Sequence, residues 1–308
     1  MIVLAIGMTE SRYRGRFAPS PTGPLHFGSL IAATASYLQA RSQQGEWKVR
    51  IEDIDPPREV AGASESILRT LEAFGFEWDG AVDYQSDRIE RYHVALEELK
   101  KCGLVYPCAC SRKDIAKYDS PVYPGTCRNG LPAGRVARAW RVYAENRIVL
   151  EDAIQGLIEY DLPSQSGDFV LLRADGLIAY QLAVGLDDAE QGMTEVVRGA
   201  DLLHSTPRQL YLQQVLKLPS PRYAHHPVVV NVAGEKLSKQ THAPSLESSQ
   251  PVPALWDALT FLGQSPGKDL RNATLKEIWD WATAHWDMHN ISRSRAQPWR
   301  ATSEGQAT

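Results

Sequence analysis

Long hydrophobic runs are missing from this 308-residue chain. Nowhere do the roughly 18 apolar residues that a membrane-crossing helix needs follow one another without charge or proline. The first ten residues hold a short apolar stretch without a basic leader or a small-residue cleavage site, so the sequence reads as that of a cytoplasmic protein with no membrane partner. Cysteine is scarce too. Cys102, Cys108, Cys110 and Cys127 fall within 26 consecutive positions, too local to staple the whole chain, which excludes a disulfide framework and points to one site in a reducing compartment. A surplus of positive charge is also absent. With 33 Lys and Arg against 37 Asp and Glu the net charge is -4, which excludes coating nucleic acid by charge alone but leaves room for a local basic surface. Internal repeats and low-complexity tracts are lacking. What remains, 43% apolar and 23% charged, is ordinary globular composition, long enough for about two domains sharing a core.

Along the chain, residues 13–18 read as a short strand that enters Pro19-Ser20-Pro21-Thr22-Gly23-Pro24, a loop whose prolines continue neither strand nor helix. Leu30, Ile31, Ala33, Ala35 and Leu38 then recur on a helical face ending near Gly45, and residues 47–51 read as a second strand. Two amphipathic helices follow, one carrying Ile67, Leu68, Leu71 and Phe74, the other Ile89, Tyr92, Leu96 and Leu99. Residues 106–134 are aperiodic and precede short alternating stretches at 138–142, 148–150 and 169–173, the pattern of an inserted, mostly β subdomain. Helical signals return at 180–189 and at 206–216, where Thr206, Pro207 and Gln209 form the pattern of a capping box. Beyond Lys239 strand patterns are lost, residues 254–262 and 275–284 read as helices with Trp279, Trp281 and Trp286 as packing surface, and the tail from 292 reads as frayed.

Three constellations carry chemistry. His26-Phe27-Gly28-Ser29 opens a helix directly after the rigid loop. A helix N-terminus attracts anions, Gly28 lets a nucleotide approach the backbone, and His26 offers a hydrogen bond to a phosphoryl oxygen; the same spacing also suits a plain helix cap. Lys236-Leu237-Ser238-Lys239-Gln240 follows an apolar run and places two cations three positions apart, a grip for a polyphosphate or, taken alone, a solvated turn. Cys108, Cys110 and Cys127 supply three thiolates for a tetrahedral metal, with Cys102 as one source of a fourth ligand.

The first two of these, in this order and roughly 210 residues apart, resemble the two signatures of class I aminoacyl-tRNA synthetases. Residues 16–23, Arg50-Ile51-Glu52-Asp53-Ile54-Asp55, and residues 197–209 narrow the resemblance to the glutamyl-tRNA synthetase catalytic domain, over about residues 14–240. Only about 68 residues follow Gln240, where a full glutamyl-tRNA synthetase carries a large anticodon-binding region. The sequence is therefore similar to the shortened paralogues that attach glutamate to the queuosine base of tRNA(Asp), and Ser29 and the Cys-x-Cys insertion agree with that group.

The resemblance implies an α/β fold: a Rossmann-like catalytic domain in two halves, residues 1–105 and 171–245, with an inserted zinc-bearing subdomain at 106–170 and a short helical domain at 246–308. It implies a ligase acting on ATP with Mg2+, L-glutamate and tRNA(Asp) carrying queuosine. It places Arg16, Phe17, Ala18, Pro19, Ser20, Glu52, Tyr180 and Arg198 around glutamate, His26, Gly28, Ser29 and Lys239 around ATP, and His26, Lys236 and Lys239 at the phosphoryl transfer. It favours Tyr123 as the partner of Cys108, Cys110 and Cys127 on one structural Zn2+. These roles suit the residues: guanidinium forks match the two carboxylates of glutamate, and a carboxylate at Glu52 matches its ammonium group. Phe27 and Gln240 depart from the wider class, beside His26 and Lys239. Transfer to a tRNA 3′ end, a nucleotidyltransferase without a tRNA substrate, and an inactive RNA-binding module are the alternative readings.

Overall fold

A computed structural model describes residues 12–118, 120, 122–231, 234, 246 and 249–299. The chain opens with β1 (Arg14–Phe17), α1 (Phe27–Ser42) and β2 (Glu46–Ile51). β1 and β2 run parallel, with Arg14 opposite Glu46 and Phe17 opposite Val49, so α1 is the crossover of a βαβ unit. The reversal into β2 depends on Gly45: a Cβ there would lie 2.6 Å from the Tyr13 carbonyl oxygen. α2 (Ala63–Ala73) and β3 (Asp83–Tyr84) follow, β3 adding a third parallel strand beside β2, and α3 (Ile89–Lys101) ends this half.

The next segment contains β4 (Val105–Cys108), α4 (Arg112–Ile115), β5 (Ala139–Val142), β6 (Arg147–Asp152), β7 (Gly156–Asp161), α5 (Leu162–Gln165) and β8 (Val170–Leu172). β4, β5 and β8 form an antiparallel sheet of their own. The β6–β7 hairpin instead joins the main body, in a sheet ordered β7-β6-β10-β9. Residues 106–170 thus feed two sheets.

The second half runs through α6 (Tyr180–Glu190), β9 (Glu195–Gly199), α7 (Thr206–Val215), β10 (Arg222–His226) and β11 (Val228–Val230). β9 and β10 are parallel, a second βαβ unit closed by α7. The Thr194 N–H donates to the Arg14 carbonyl at 2.9 Å, which brings β1 and β9 side by side. α1 is buried on most of its circumference, from Leu30 to Ala40, as befits a helix covered on several sides. α8 (Pro251–Phe261) and α9 (Leu275–His285) pack on it, Trp279 donating through Nε1 to the Phe74 carbonyl at 2.9 Å.

Two sequence expectations change here. The tail does not fray where described: β12 (Ala296–Pro298) pairs parallel with β11, and Trp299 stacks on Phe27 with ring centroids 4.0 Å apart. Ala-Gln-Pro has no alternation to announce a strand; the partner backbone and the aromatic contact supply it. The capping box at α7 is also absent. Ser205 is the N-cap and makes no side-chain cap bond; its hydroxyl accepts from Gln181 Nε2 at 3.0 Å, and Thr206 and Gln209 are engaged elsewhere.

Candidate active site

The carboxyl ends of the adjacent strands β1 and β9 border a cleft of about 750 Å3, the place where parallel α/β sheets bind ligands. Arg16, Phe17, Ala18, Pro19, Ser20, His26, Gly28, Ser29, Glu52, Tyr180 and Arg198 all line it. These are the residues that the sequence assigned to glutamate and ATP, apart from Lys236 and Lys239, which lie outside the described residues.

Arg16 is buried at the cleft wall, and one edge of its guanidinium is already taken. Nε and Nη2 meet both oxygens of Asp188 at 3.0 and 3.2 Å. The acid that holds it also holds Arg50, whose Nη2 lies 2.8 Å from Asp188 Oδ1. Burial opposes ionisation of Asp188, but the two guanidiniums outweigh it and hold the carboxyl well below its ordinary range.

Arg198 is braced from a different side. Its Nε donates to His225 Nε2 at 3.1 Å, and its Nη2 donates to Thr206 Oγ1 and Gln209 Oε1, each at 2.7 Å. The third nitrogen, Nη1, is buried and has no hydrogen-bond partner among the described residues. An unpaired donor of a buried cation is costly unless a guest completes it. Because His225 Nε2 accepts from a guanidinium, its proton sits on Nδ1, facing Asp152 Oδ2 at 2.5 Å. Burial lowers His225 to about 4, so the ring is neutral and the positive charge stays on Arg198.

Glu52 ends the turn beyond β2, held there by its N–H, which donates to the Pro19 carbonyl at 3.0 Å. Burial pushes its carboxyl up to about 7, against the pull of Arg50 and Arg16. Such a group gains from a cationic partner. Tyr180, the first residue of α6, shares the wall, with its phenol raised by burial and by Glu52.

On the nucleotide side His26 is the N-cap of α1, Nδ1 accepting from the Ser29 N–H at 3.2 Å. The cap reading and the phosphate reading are therefore compatible: an accepting Nδ1 leaves the proton of the neutral ring on Nε2, a donor for a phosphoryl oxygen. Across from it, His226 turns Nδ1 to the Pro227 carbonyl at 2.8 Å, and its buried Nε2 has no partner among the described residues.

Away from the cleft, Cys108, Cys110 and Cys127 bring their sulfurs within 4.8 Å of one another. Cys110 and Cys127 sulfurs are 3.7 Å apart, and the Tyr123 hydroxyl lies 3.4 Å from Cys108 and 3.6 Å from Cys110. A tetrahedral ion with metal–sulfur bonds of ~2.3 Å has ligand–ligand edges of about 3.8 Å, so these four atoms fit one metal ion. Cys102 is exposed and outside the cluster. Outer contacts suit thiolates: Arg141 Nε points at Cys108 at 3.3 Å and the Ala109 N–H at Cys127 at 3.4 Å.

Sequence reasoning missed the second rank of this site: Asp188, Arg50, Asp187, Gln85, His225 and Asp152. The signal was available in part. Asp187 and Asp188 interrupt an apolar helix, and consecutive acids there have to be paired.

Residues 12–122 and 133–288 match the family described as tRNA synthetases class I (E and Q), catalytic domain. The glutamyl-Q tRNA(Asp) synthetase of Aromatoleum aromaticum is 57% identical over 286 residues, covering 91% of this chain and 91% of its own. That of Pseudomonas aeruginosa PAO1 is 51% identical over 291 residues, covering 94% and 99%. Among solved structures, the glutamate-tRNA synthetase of Elizabethkingia anophelis superposes with a TM-score of 0.79 at 24% identity, over 94% of this chain and 68% of that one, a likeness of fold. Since the family pattern spans both halves of the cleft, the chain belongs to the class I tRNA synthetases of the E and Q type and, within them, to the glutamyl-Q tRNA(Asp) synthetase family.

Proposed function

We propose that this chain activates L-glutamate with ATP and transfers the glutamyl group to a hydroxyl of queuosine in the anticodon of tRNA(Asp). The observation that carries the reading is the joint placement of a partnerless Arg198 Nη1, a buried Glu52 and the His26 cap in one cleft. The first two match a carboxylate and an ammonium group, the third a phosphate. Arg16, tied to Asp188, acts mainly as a fixed positive charge beside the guest, and Ser20 and Tyr180 add hydroxyls that orient it. Phe17, Ala18 and Pro19 shape the wall next to it.

In the first step a glutamate α-carboxylate oxygen bonds to the α-phosphorus of ATP as the bond to the leaving pyrophosphate breaks. His26 donates to the phosphates, Gly28 and Ser29 flank them, magnesium arrives with the nucleotide, and Lys236 and Lys239 neutralise charge on the transferring group. In the second step a queuosine hydroxyl oxygen bonds to the acyl carbon, AMP leaves, and the hydroxyl proton passes to solvent. We assign Zn2+ to Cys108, Cys110, Tyr123 and Cys127, where it would tie the end of β4 to Cys110, Tyr123 and Cys127 and supply no chemistry on the substrate. Among the described residues no helix is long and apolar enough to cross a membrane, and ATP, glutamate and tRNA as substrates fit a cytoplasmic enzyme.

The test is incubation with labelled glutamate, ATP and tRNA(Asp) with or without queuosine. Label that requires queuosine and survives removal of the 3′ adenosine supports the reading. Label lost with the 3′ adenosine assigns the chain to ordinary aminoacylation.

A further inference from the structure

A second chamber of about 70 Å3 adjoins the main cleft and shares Ser20, Thr22, Glu52, Arg58 and Tyr180 with it. Its remaining wall sets Asp55, Glu59 and Gln85 beside Ile54, Ile178 and Arg173. Three side-chain oxygens of this wall are buried without a hydrogen-bond partner: Asp55 Oδ1, Glu59 Oε1 and Gln85 Oε1. Gln85 is 0% exposed, and its Nε2 donates to Asp187 Oδ2 at 2.7 Å, which fixes the amide so that the oxygen is the end left over. Asp55 already takes Arg58 Nε at 2.7 Å and Arg173 Nη1 at 2.6 Å on Oδ2, so both local cations are engaged and Oδ1 still lacks a donor. Burial and the charge of Asp53 push the Glu59 carboxyl up.

A buried acceptor left unpaired is costly. Three in one chamber describe a place for a guest rich in N–H and O–H groups. The guest is not the triphosphate or a carboxylate of glutamate, which Asp55 and Glu59 repel. It is not well suited to a metal ion either: among the described residues the three cysteines are the one set of three thiol, imidazole or carboxylate ligands that converge within 4.8 Å. The volume corresponds to about two waters, enough for the edge of a small ring and too little for a base.

We propose that this chamber takes the cyclopentenediol edge and the adjoining secondary ammonium group of the acceptor nucleoside, with Glu59 and Gln85 accepting from them. The inference rests on queuosine being the acceptor. It adds that the second substrate is recognised by its donors, in a chamber that adjoins the glutamate site at Glu52 and Tyr180, which line both spaces, so that a diol hydroxyl at this border reaches the acyl carbon while the other donors meet Glu59 and Gln85.

Glu59→Gln tests it, since Glu59 is only half-buried and its replacement is isosteric. Three quantities are compared with the wild type: glutamate-dependent pyrophosphate exchange, transfer to tRNA(Asp) carrying queuosine, and calorimetric binding of free queuosine nucleoside. The expected result is exchange within about twofold, with transfer kcat/KM and nucleoside affinity both down at least about tenfold, the loss of one charge-assisted hydrogen bond. Transfer and nucleoside binding unchanged in the variant overturn the proposal. So does exchange falling in step with transfer, which would give the chamber to the first substrates, and so does rescue of exchange by excess Mg2+, which would make it a metal site. A wild type that lacks glutamate-dependent exchange but binds the nucleoside through Glu59 defeats the glutamate-activation reading while sustaining this one.

Discussion

Asp188 of α6 grips Arg16 of β1 through both carboxylate oxygens while its Oδ1 also takes Arg50, so one acid holds two guanidiniums from neighbouring strands. All three are almost completely buried. Removing one member of such a set leaves uncompensated charge in a low-dielectric interior. Asp188→Asn should therefore lower unfolding stability by about 3–5 kcal/mol, read by equilibrium denaturation. Because the folded-state pKa is depressed, this stabilisation is present above the ordinary carboxylate range and is lost as pH falls below it. An unchanged denaturation midpoint would deny the pair its structural role.

Glu52 gives the opposite sign. Its pKa of about 7 lies above the ordinary 4.5, chiefly through burial, so keeping it ionised costs stability increasingly as pH rises from 4.5 towards 7. A bound ammonium group recovers that cost. The KM for glutamate in pyrophosphate exchange should accordingly fall as pH rises through about 7 and level off above it. Glu52→Gln should raise KM about tenfold or more and remove the inflection. A wild-type profile without an inflection between about pH 6 and about 8 would remove Glu52 from ammonium recognition.

What was legible in the sequence follows from how each feature is encoded. The β1–α1–β2 unit could be read because strand, proline-rich loop and helical face are local patterns, and His26 and the cysteine cluster because they are short motifs. The bracing of the arginines could not. Asp188 lies 172 positions from Arg16, and nothing local distinguishes a paired buried acid from a solvated one. Thr206 and Gln209 show the converse: their spacing fits a cap, yet the stronger claim comes from Arg198, a charge that must be satisfied. The β6–β7 hairpin alternates like any half-buried strand pair, and contacts distant in sequence, the Tyr223–Asp152 pairing and the Asp152–His225 contact, commit it to the main sheet.

The metal assignment makes its own prediction. The small core around Tyr106, Cys108, Ala109, Tyr123 and Cys127 is too slight to hold residues 106–138 by burial alone. The purified chain should contain one zinc per polypeptide, Cys110→Ser should lose it, and Cys102→Ser should not, measured by metal analysis. Stripping the metal should make this segment the first site of proteolysis. Exchange should be retained better than transfer, because the cluster lies outside the wall of the cleft.

Arg198 offers the sharpest separation of binding from folding. In Arg198→Lys the positive charge survives, but a single ammonium cannot meet His225, Thr206 and Gln209 and still present a donor to a guest. Losing two charge-assisted bonds at about 1.5–3 kcal/mol each, partly regained by the ammonium, should cut kcat/KM for glutamate about 100-fold, mostly through KM. His225 stays neutral down to about 4, so this side of the cleft contributes no step to the profile near neutrality. The inflection assigned to Glu52 should therefore persist in Arg198→Lys at an elevated KM. If it moves or disappears, the two ends of the glutamate site are coupled through the Arg16–Asp188–Arg50 set, and the ammonium and carboxylate subsites are not independent.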